Sequence, residues 1–465
     1  MLNDQASFHA LLSAALDRGG DYADIYAQVI RIRTVEFEEG KVKKASEALR
    51  QGVGIRVQQE EASGYAVCED PDPKLLIAAA RRAAAIAASG GSPSAPPPLV
   101  LHAVPDRYPQ IRPISQVLLN ERIAYARRAS ERAYAMDPRV EWVSLFIQDQ
   151  LDEVTIATSD GILVRDVRPR VRIYMSVTGA VPGRRETVWE AFGRRCGFEA
   201  LDHYSAEALA SETLRRLDVR LRAIASPAGE MPVILAAGEG GVMVHEAVGH
   251  GLEADFNRKG ASAYSGRIGD MVANPMVSIV DSSDRLGDSG SLNVDDEGII
   301  PGATTLIEQG RLCSYLTDRL SARILQVSPS GNGRRQDYSH IPVPRMRITG
   351  LGPGSSSRDE LIAGVSQGLY VASIGGGSVD ITKGDFNFQV EEAYLIENGK
   401  LGAPVRGACL IGNGPDVMRR ITGLGSDLRF MDCAGYCGKN AQNVPVGYGC
   451  PTTRISSMVV GGSAS

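Results

Sequence analysis

The chain has 465 residues, of which 43% are hydrophobic, 23% charged and 6% aromatic, and its formal net charge is −5. Such a balance describes a soluble globular protein with material for roughly two to four domains. It argues against a nucleic-acid partner, since no basic stripe interleaved with aromatics accompanies the negative charge, and against a membrane span, since no apolar run reaches the ~18 residues needed.

In chain order, residues 7–16 are predicted as a short amphipathic helix ending at Gly19-Gly20. Residues 22–37 alternate and are rich in β-branched side chains, which predicts a strand that turns at Glu39-Gly40, with further strands at 53–57 and 64–67. An Ala-rich helix over 73–88 starts at a proline. The run Ser89-Gly90-Gly91-Ser92-Pro93-Ser94-Ala95-Pro96-Pro97-Pro98 reads as a flexible linker. A second unit opens with a long helix over 114–136 and continues with strands at 140–147, 153–158, 162–167 and 171–181. Ser159-Asp160-Gly161 makes a hairpin turn within it, and a helix over 205–223 closes it.

Beyond Gly229 the texture changes. A buried strand at 231–237 precedes a helix over 239–252; glycine-rich strand-turn units and a short helix over 316–325 follow, the pattern of an antiparallel β domain. The expected fold is therefore α+β. Two N-terminal sub-domains of helix-strands-helix type (residues 1–88 and 100–225, joined by 89–99) precede a β-rich C-terminal domain at 226–465 that carries the metal-binding helix. Seven cysteines, an odd number over a long chain, fit reduced thiols. The opening residues Met1-Leu2-Asn3-Asp4-Gln5 lack the regions of a secretory signal, so a cytoplasmic location is expected.

Chemistry concentrates at His245-Glu246-Ala247-Val248-Gly249-His250, which holds two of the six histidines around a glutamate. Imidazoles are good zinc ligands, and a carboxylate beside the metal can deprotonate a bound water. The spacing is one residue longer than the familiar H-E-x-x-H. At roughly 100° per residue, positions i and i+5 of a regular helix sit about 140° apart, so both rings can face one ion only if the turn is widened, as in a π-bulge. Gly249 is expected to make that distortion cheap. A catalytic zinc needs three protein ligands and an open position. The best source of the third is Asp432-Cys433-Ala434-Gly435-Tyr436-Cys437-Gly438-Lys439.

The run from His245 to Gly260 resembles the signature of the TldD/PmbA family of metallopeptidases. Asp295-Asp296-Glu297-Gly298, Gly331-Asn332-Gly333-Arg334-Arg335 with Tyr338 and His340, Gly384-Asp385-Phe386, and Cys437-Gly438-Lys439 followed by Val444-Pro445-Val446-Gly447 agree with its catalytic TldD branch. The resemblance implies zinc held by His245, His250 and Cys437, with Glu246 as catalytic base. It also implies a substrate of unfolded polypeptide or small peptides bound as an added strand. The partner it implies is a TldE/PmbA-like subunit, or a second copy, in a dimer.

Other residues carry weaker expectations. Tyr338 and His340 are candidates for an oxyanion donor, although ordinary loop residues are the plainer reading. Arg334-Arg335 could grip a peptide carboxylate or form a surface pair. Glu253 could ligate, but a supporting or surface role is favoured. Asp295-Asp296-Glu297 has the look of a cation site without the loop spacing of a calcium motif, hence an acidic turn. Cys433 and Cys450 are expected to be small buried residues. Two other functions compete: a peptide-binding scaffold subunit without activity, and a nucleotide-binding protein using Gly238-Glu239-Gly240-Gly241 or Gly331-Asn332-Gly333, which lacks both the G-x-G-x-x-G and P-loop spacings.

Overall fold

The computed structural model describes residues 4–87, 92–432 and 434–462. Helix α1 (Gln5–Ala15) is capped by Asp4, whose carboxylate accepts the Ser7 N–H at 2.8 Å. Strands β1 (Tyr22–Glu38), β2 (Lys41–Gln59) and β3 (Ala62–Cys68) follow, and then α2 (Pro73–Ile86), with proline in its first turn. After β4 (Val100–Leu101) come α3 (Leu119–Met136), β5 (Val140–Thr158), β6 (Ile162–Val181), β7 (Arg184–Arg194), α4 (Ala200–His203) and α5 (Ala206–Arg222).

All seven strands belong to one sheet, ordered β3-β2-β1-β5-β6, with β4 and β7 both on β6. Strand β1 pairs with β5 from Asp24↔Thr158 to Glu38↔Ser144, so the two helix-strands-helix units share a backbone ladder. At one end α1 and α2 pack on the sheet; at the other α3 and α5 do. The expected breaks at 148–152 and 168–170 do not occur, and β5 and β6 each run through them. Their polar side chains, among them Gln148, Gln150, Arg168 and Arg170, face a cavity against the C-terminal domain. A hydrophobic pattern therefore fails there although the strands continue. Strand β7 escaped the sequence reading for a similar reason, with five charged residues in eleven.

Strand β2 extends well before the expected 53–57. Its residues 41–51 are exposed and pair with β1 alone, because β3 covers only 53–59. Lys41, Lys43 and Lys44 lie along that open edge, where charge discourages pairing with another chain. Of the predicted linker, residues 89–91 lie outside the described residues. The rest is tethered: Leu99 packs into the α1/α2 cluster, and the Pro96 carbonyl meets His9 Nε2 at 3.2 Å.

The C-terminal domain is built on a closed ring of strands. Gly229–Leu235 pairs in parallel with Gln367–Asp380 and antiparallel with Thr453–Gly461. Thr453–Gly461 pairs with Cys409–Asn413, that strand with Asp385–Glu397, and the last returns to Gln367–Asp380. The sheet is thus mixed rather than purely antiparallel. Val233, Leu235, Phe386, Phe388 and Leu410 share one core with Met243, Val244 and Val248 of the 241–252 helix, which is how a strand ring grips that helix.

The two halves meet across buried ion pairs. Arg56 donates to Asp24 at 2.6 Å and to Glu297 at 2.7 Å, Arg168 binds Asp166 and Asp296, and Arg335 binds Asp24 at 3.0 Å. The 295–297 acidic turn is fully buried: Asp296 and Glu297 are matched by Arg168 and Arg56 of the N-terminal sheet, and Asp295 accepts the backbone N–H groups of Glu297, Ile299 and Gly333. Removing one member of such a set leaves a buried charge unpaired. Arg56→Met is expected to lower stability by about 3–5 kcal/mol in urea unfolding, whereas Arg185→Met, at an exposed pair with Glu141, changes it by less than about 1 kcal/mol. Equal midpoints for the two variants would contradict this account of how the halves are held.

Candidate metal centre

The helix bearing the two histidines is irregular in the way its spacing requires. Gly241–Val244 is α-helical, His245–Gly249 is one π-turn and His250–Leu252 is a 3₁₀ turn. The His250 N–H donates to the His245 carbonyl, closing the five-residue step. One widened turn brings the two imidazoles together, with ring centroids 5.2 Å apart and planes at 79°. Gly249 has an ordinary helical φ of −56°, so it is not there to ease the distortion. A Cβ at that position would stand 1.9 Å from Met346 Sδ, and close approach to this side chain is what demands glycine.

Cys437 arrives on a hairpin of Tyr436–Lys439 and Gln442–Pro445, whose turn sets Asn440 and Ala441 at φ of 50° and 56°. Its Sγ lies 3.1 Å from His250 Nε2, and ligand atoms of His245, His250 and Cys437 fall within 4.8 Å of one another. All three side chains are buried. Burial opposes ionisation of the thiol, but the adjacent imidazoles outweigh it and hold Cys437 well below its usual value. Burial likewise opposes charge on His250, yet Glu253 and Cys437 raise it.

Glu253 completes the cluster from behind. Its carboxylate meets His250 Nδ1 at 3.0 Å, which directs Nε2 toward the sulfur. Burial of Glu253 is offset by Lys439 at 3.1 Å and by His250, and its carboxyl falls to about 2. It is therefore an internal support and not a surface residue. Two imidazoles and a thiolate form a donor set suited to zinc, and the buried Nδ1 of His245 has no hydrogen-bond partner among the described residues. These residues fit a bound metal ion.

The hairpin is held by its main chain. Arg170 donates to the Ala434 and Gly435 carbonyls at 3.1 and 2.9 Å, and the Tyr174 hydroxyl donates to Ala434 O at 2.9 Å, all from β6. Arg345 donates to the Cys437 carbonyl at 2.5 Å and lies 3.7 Å from Glu253. Lys439 binds Asp255 at 2.7 Å and the Pro344 carbonyl at 3.0 Å.

Beside the cluster opens a cleft of about 290 Å³ lined by His245, Glu246 and Cys437. Glu246, with a fifth of its side chain exposed, sets Oε2 3.8 Å from His250 Nε2. Neither Tyr338 nor His340 reaches this cleft: the Tyr338 hydroxyl donates to Glu69 at 2.7 Å, and His340 contacts Asp337 at 2.8 Å. Arg334 and Arg335 are buried and not a surface pair. Cys450 is buried beside the Ala236 carbonyl, its thiol pushed up to about 12 by desolvation, and Cys433 lies outside the described residues.

The phenols in the cleft are Tyr174, Tyr436 and Tyr448, which the sequence reading missed. Tyr436 adjoins Cys437, and Tyr448 sits between two glycines just past Val444-Pro445-Val446, so both were within reach of it. Tyr174 lies in a strand of the other domain and left no local signal.

The sequence matches the descriptions PmbA/TldA metallopeptidase domain 1 over residues 23–87, central domain over 112–221 and C-terminal domain over 228–462. A metalloprotease TldD homolog of Haemophilus influenzae is 40% identical over 453 residues, covering 96% of this chain and 94% of that protein. A zinc metalloprotease TldD homolog of Saccharolobus solfataricus is 34% identical over 263 residues, covering 56% of this chain and 58% of that one. Among solved structures, TldE from Thermococcus kodakarensis superposes with a TM-score of 0.74 at 17% identity, over 95% of this chain and 97% of that one. Among the described residues no helix is long and apolar enough to cross a membrane.

Since Glu253 orients His250, Glu253→Gln is expected to weaken metal retention roughly 10–100-fold, read by competition with a chelator. Unchanged retention would remove that role from Glu253.

Proposed function

The chain belongs to the PmbA/TldD family of metallopeptidases, and on that premise we propose that it is a zinc-dependent endo- or oligopeptidase acting on unfolded polypeptides or small peptides. His245, His250 and Cys437 hold one zinc ion, and Glu246 is the general base. The observation that carries this reading is the convergence of two imidazoles and a thiolate within 4.8 Å, with the Glu246 carboxylate beside them at the wall of a cleft.

Zinc, once bound, supplies the Lewis acidity that makes water deprotonation and carbonyl attack feasible near neutral pH. Three protein donors leave a position open for chemistry. Glu246 takes the proton from the attacking water and delivers it to the leaving amine, a transfer its placement between the cleft and His250 allows. Glu253 keeps His250 in one orientation throughout. The donor for the developing oxyanion is Tyr448, whose ring centroid is 6.4 Å from that of His245, since the Tyr174 hydroxyl is given to the Ala434 carbonyl. Extended polypeptide suits a cleft whose wall includes the backbone at Gly375 and Gly376.

The partner we propose is a TldE/PmbA-like subunit or a second copy of this chain, a reading supported by the shared fold with TldE. The compartment we propose is the cytoplasm, in keeping with free cysteines among the described residues.

Metal content and hydrolysis of an unstructured peptide separate the roles. Glu246→Ala is expected to keep its metal and to lose at least ~100-fold in kcat, the upper share of a general-base contribution. Cys437→Ala is expected to lose both metal and activity. Full metal occupancy in Cys437→Ala would overturn the ligand assignment, and unimpaired turnover in Glu246→Ala would overturn the base.

A further inference from the structure

A second cavity, of about 250 Å³, lies between the N-terminal sheet and the C-terminal domain and shares only Tyr436 with the metal cleft. Six arginines and three aspartates line it. Three of those arginines are matched by carboxylates: Arg168 with Asp296 at 2.5 Å, Arg335 with Asp24 at 3.0 Å and Arg50 with Asp337 at 3.5 Å. Among the described residues, Arg195 and Arg334 make no ion pair within 4.0 Å.

Both guanidiniums are buried, and among the described residues their hydrogen bonds go to main-chain carbonyls. Arg195 donates to Ser289 O at 3.1 Å; Arg334 donates to Met346 O and, at 2.6 Å, to Pro445 O. Carbonyl dipoles solvate a guanidinium but do not neutralise it. Burial and the proximity of Arg195 push Arg334 down from its usual range, the mark of a cation short of counter-charge. The remaining acid on the wall, Asp152, is itself pushed up by desolvation and accepts from Gln150 at 2.9 and 3.0 Å. Two buried guanidiniums with no carboxylate of the described residues within 4.0 Å form an arrangement that proteins complete with an anion.

We propose that this cavity is a binding site for a small oxyanion of carboxylate or sulfate type, held between Arg195 and Arg334. Guanidinium forks match the planar, bidentate edge of such a group. Arg334 also grips Pro445, and Tyr436, Asn443 and Pro445 all line the cavity, so its occupant sits against the hairpin that carries Cys437.

Two sources supply this chemistry, the C-terminal carboxylate of a peptide or a free inorganic anion. The probe is sulfate, titrated calorimetrically into the full-length, metal-loaded protein against chloride at matched ionic strength. Wild type is expected to bind, with Arg195→Gln weakening the affinity at least ~10-fold, as loss of a charge-assisted contact does. Arg334→Gln is expected to behave alike, and Arg195→Gln, which gives up a side-chain bond to the Ser289 carbonyl, carries the test if Arg334→Gln fails to fold. Absence of sulfate binding to wild type, or equal affinity in Arg195→Gln, overturns the proposal; the latter would place the anion at the metal.

Acetyl-trialanine as free acid and as amide, competed against sulfate on the Glu246→Gln protein, distinguishes the sources. Displacement by the acid alone assigns the peptide end, and displacement by neither assigns a free anion. Displacement by both overturns the site, because sulfate would then share the peptide cleft. Each readout is a binding measurement, so it stands or falls apart from the peptidase reading.

Discussion

A buried thiol can stay beside two imidazoles only if its backbone has no freedom to withdraw. Cys437 meets His250 across 187 residues of sequence, and the contact is secured less by the sulfur than by carbonyl oxygens on either side of it. Arg170 and Tyr174 hold the main chain before it, Arg345 holds its own carbonyl, and Lys439 ties the residue two further on to Glu253 and Asp255. Each bond from a cation to a buried acceptor is worth more than an ordinary one, and together they fix the hairpin against the helix. The same Glu253 that steadies His250 accepts from Lys439, so both arms of the cluster share one carboxylate.

Part of this clamp comes from the other half of the molecule. Arg170 and Tyr174 belong to β6, and their reach depends on the N-terminal sheet being docked where Arg56, Arg168 and Arg335 meet Asp24, Asp296 and Glu297. A buried ion-pair set is a poor source of net stability, but it discriminates strongly among relative placements of two surfaces. Placement is what a cleft bounded by Tyr174 on one side and His245 on the other requires.

What could be read from the sequence divides along physical lines. Spacing alone required the turn at 245–250 to be wider than an α-turn, since five residues at the α-helical rotation cannot face one point, and the His245–Gly249 π-turn meets that demand. Gly249 is needed for a different reason, because the side chain of Met346 approaches it from a distant segment, between the strands Val343–Pro344 and Ile348–Leu351, that no local pattern reveals. The helices and the two layered units were legible from periodicity and caps. The full length of β5 and β6, and β7 itself, were not, since strands that face a polar interface lose the apolar alternation that marks a strand. For the same reason Arg334 and Arg335 read as a surface pair, although the tertiary fold buries them. Tyr338 and His340 sit close to other motif residues in sequence, but their contacts with Glu69 and Asp337 keep them out of the cleft.

Closure of the C-terminal strand ring imposes an order of events during synthesis. Gly229–Leu235 is made early but shares its ladder with Thr453–Gly461, so it waits on the ribosome for a partner more than two hundred residues away. Until that partner emerges, the helix with both histidines has an incomplete wall behind it, and the hairpin with the sulfur has barely left the exit tunnel. Assembly of the His245, His250 and Cys437 cluster is thereby postponed until residues 436–461 have been made, when the N-terminal sheet can already serve as a template against which they settle.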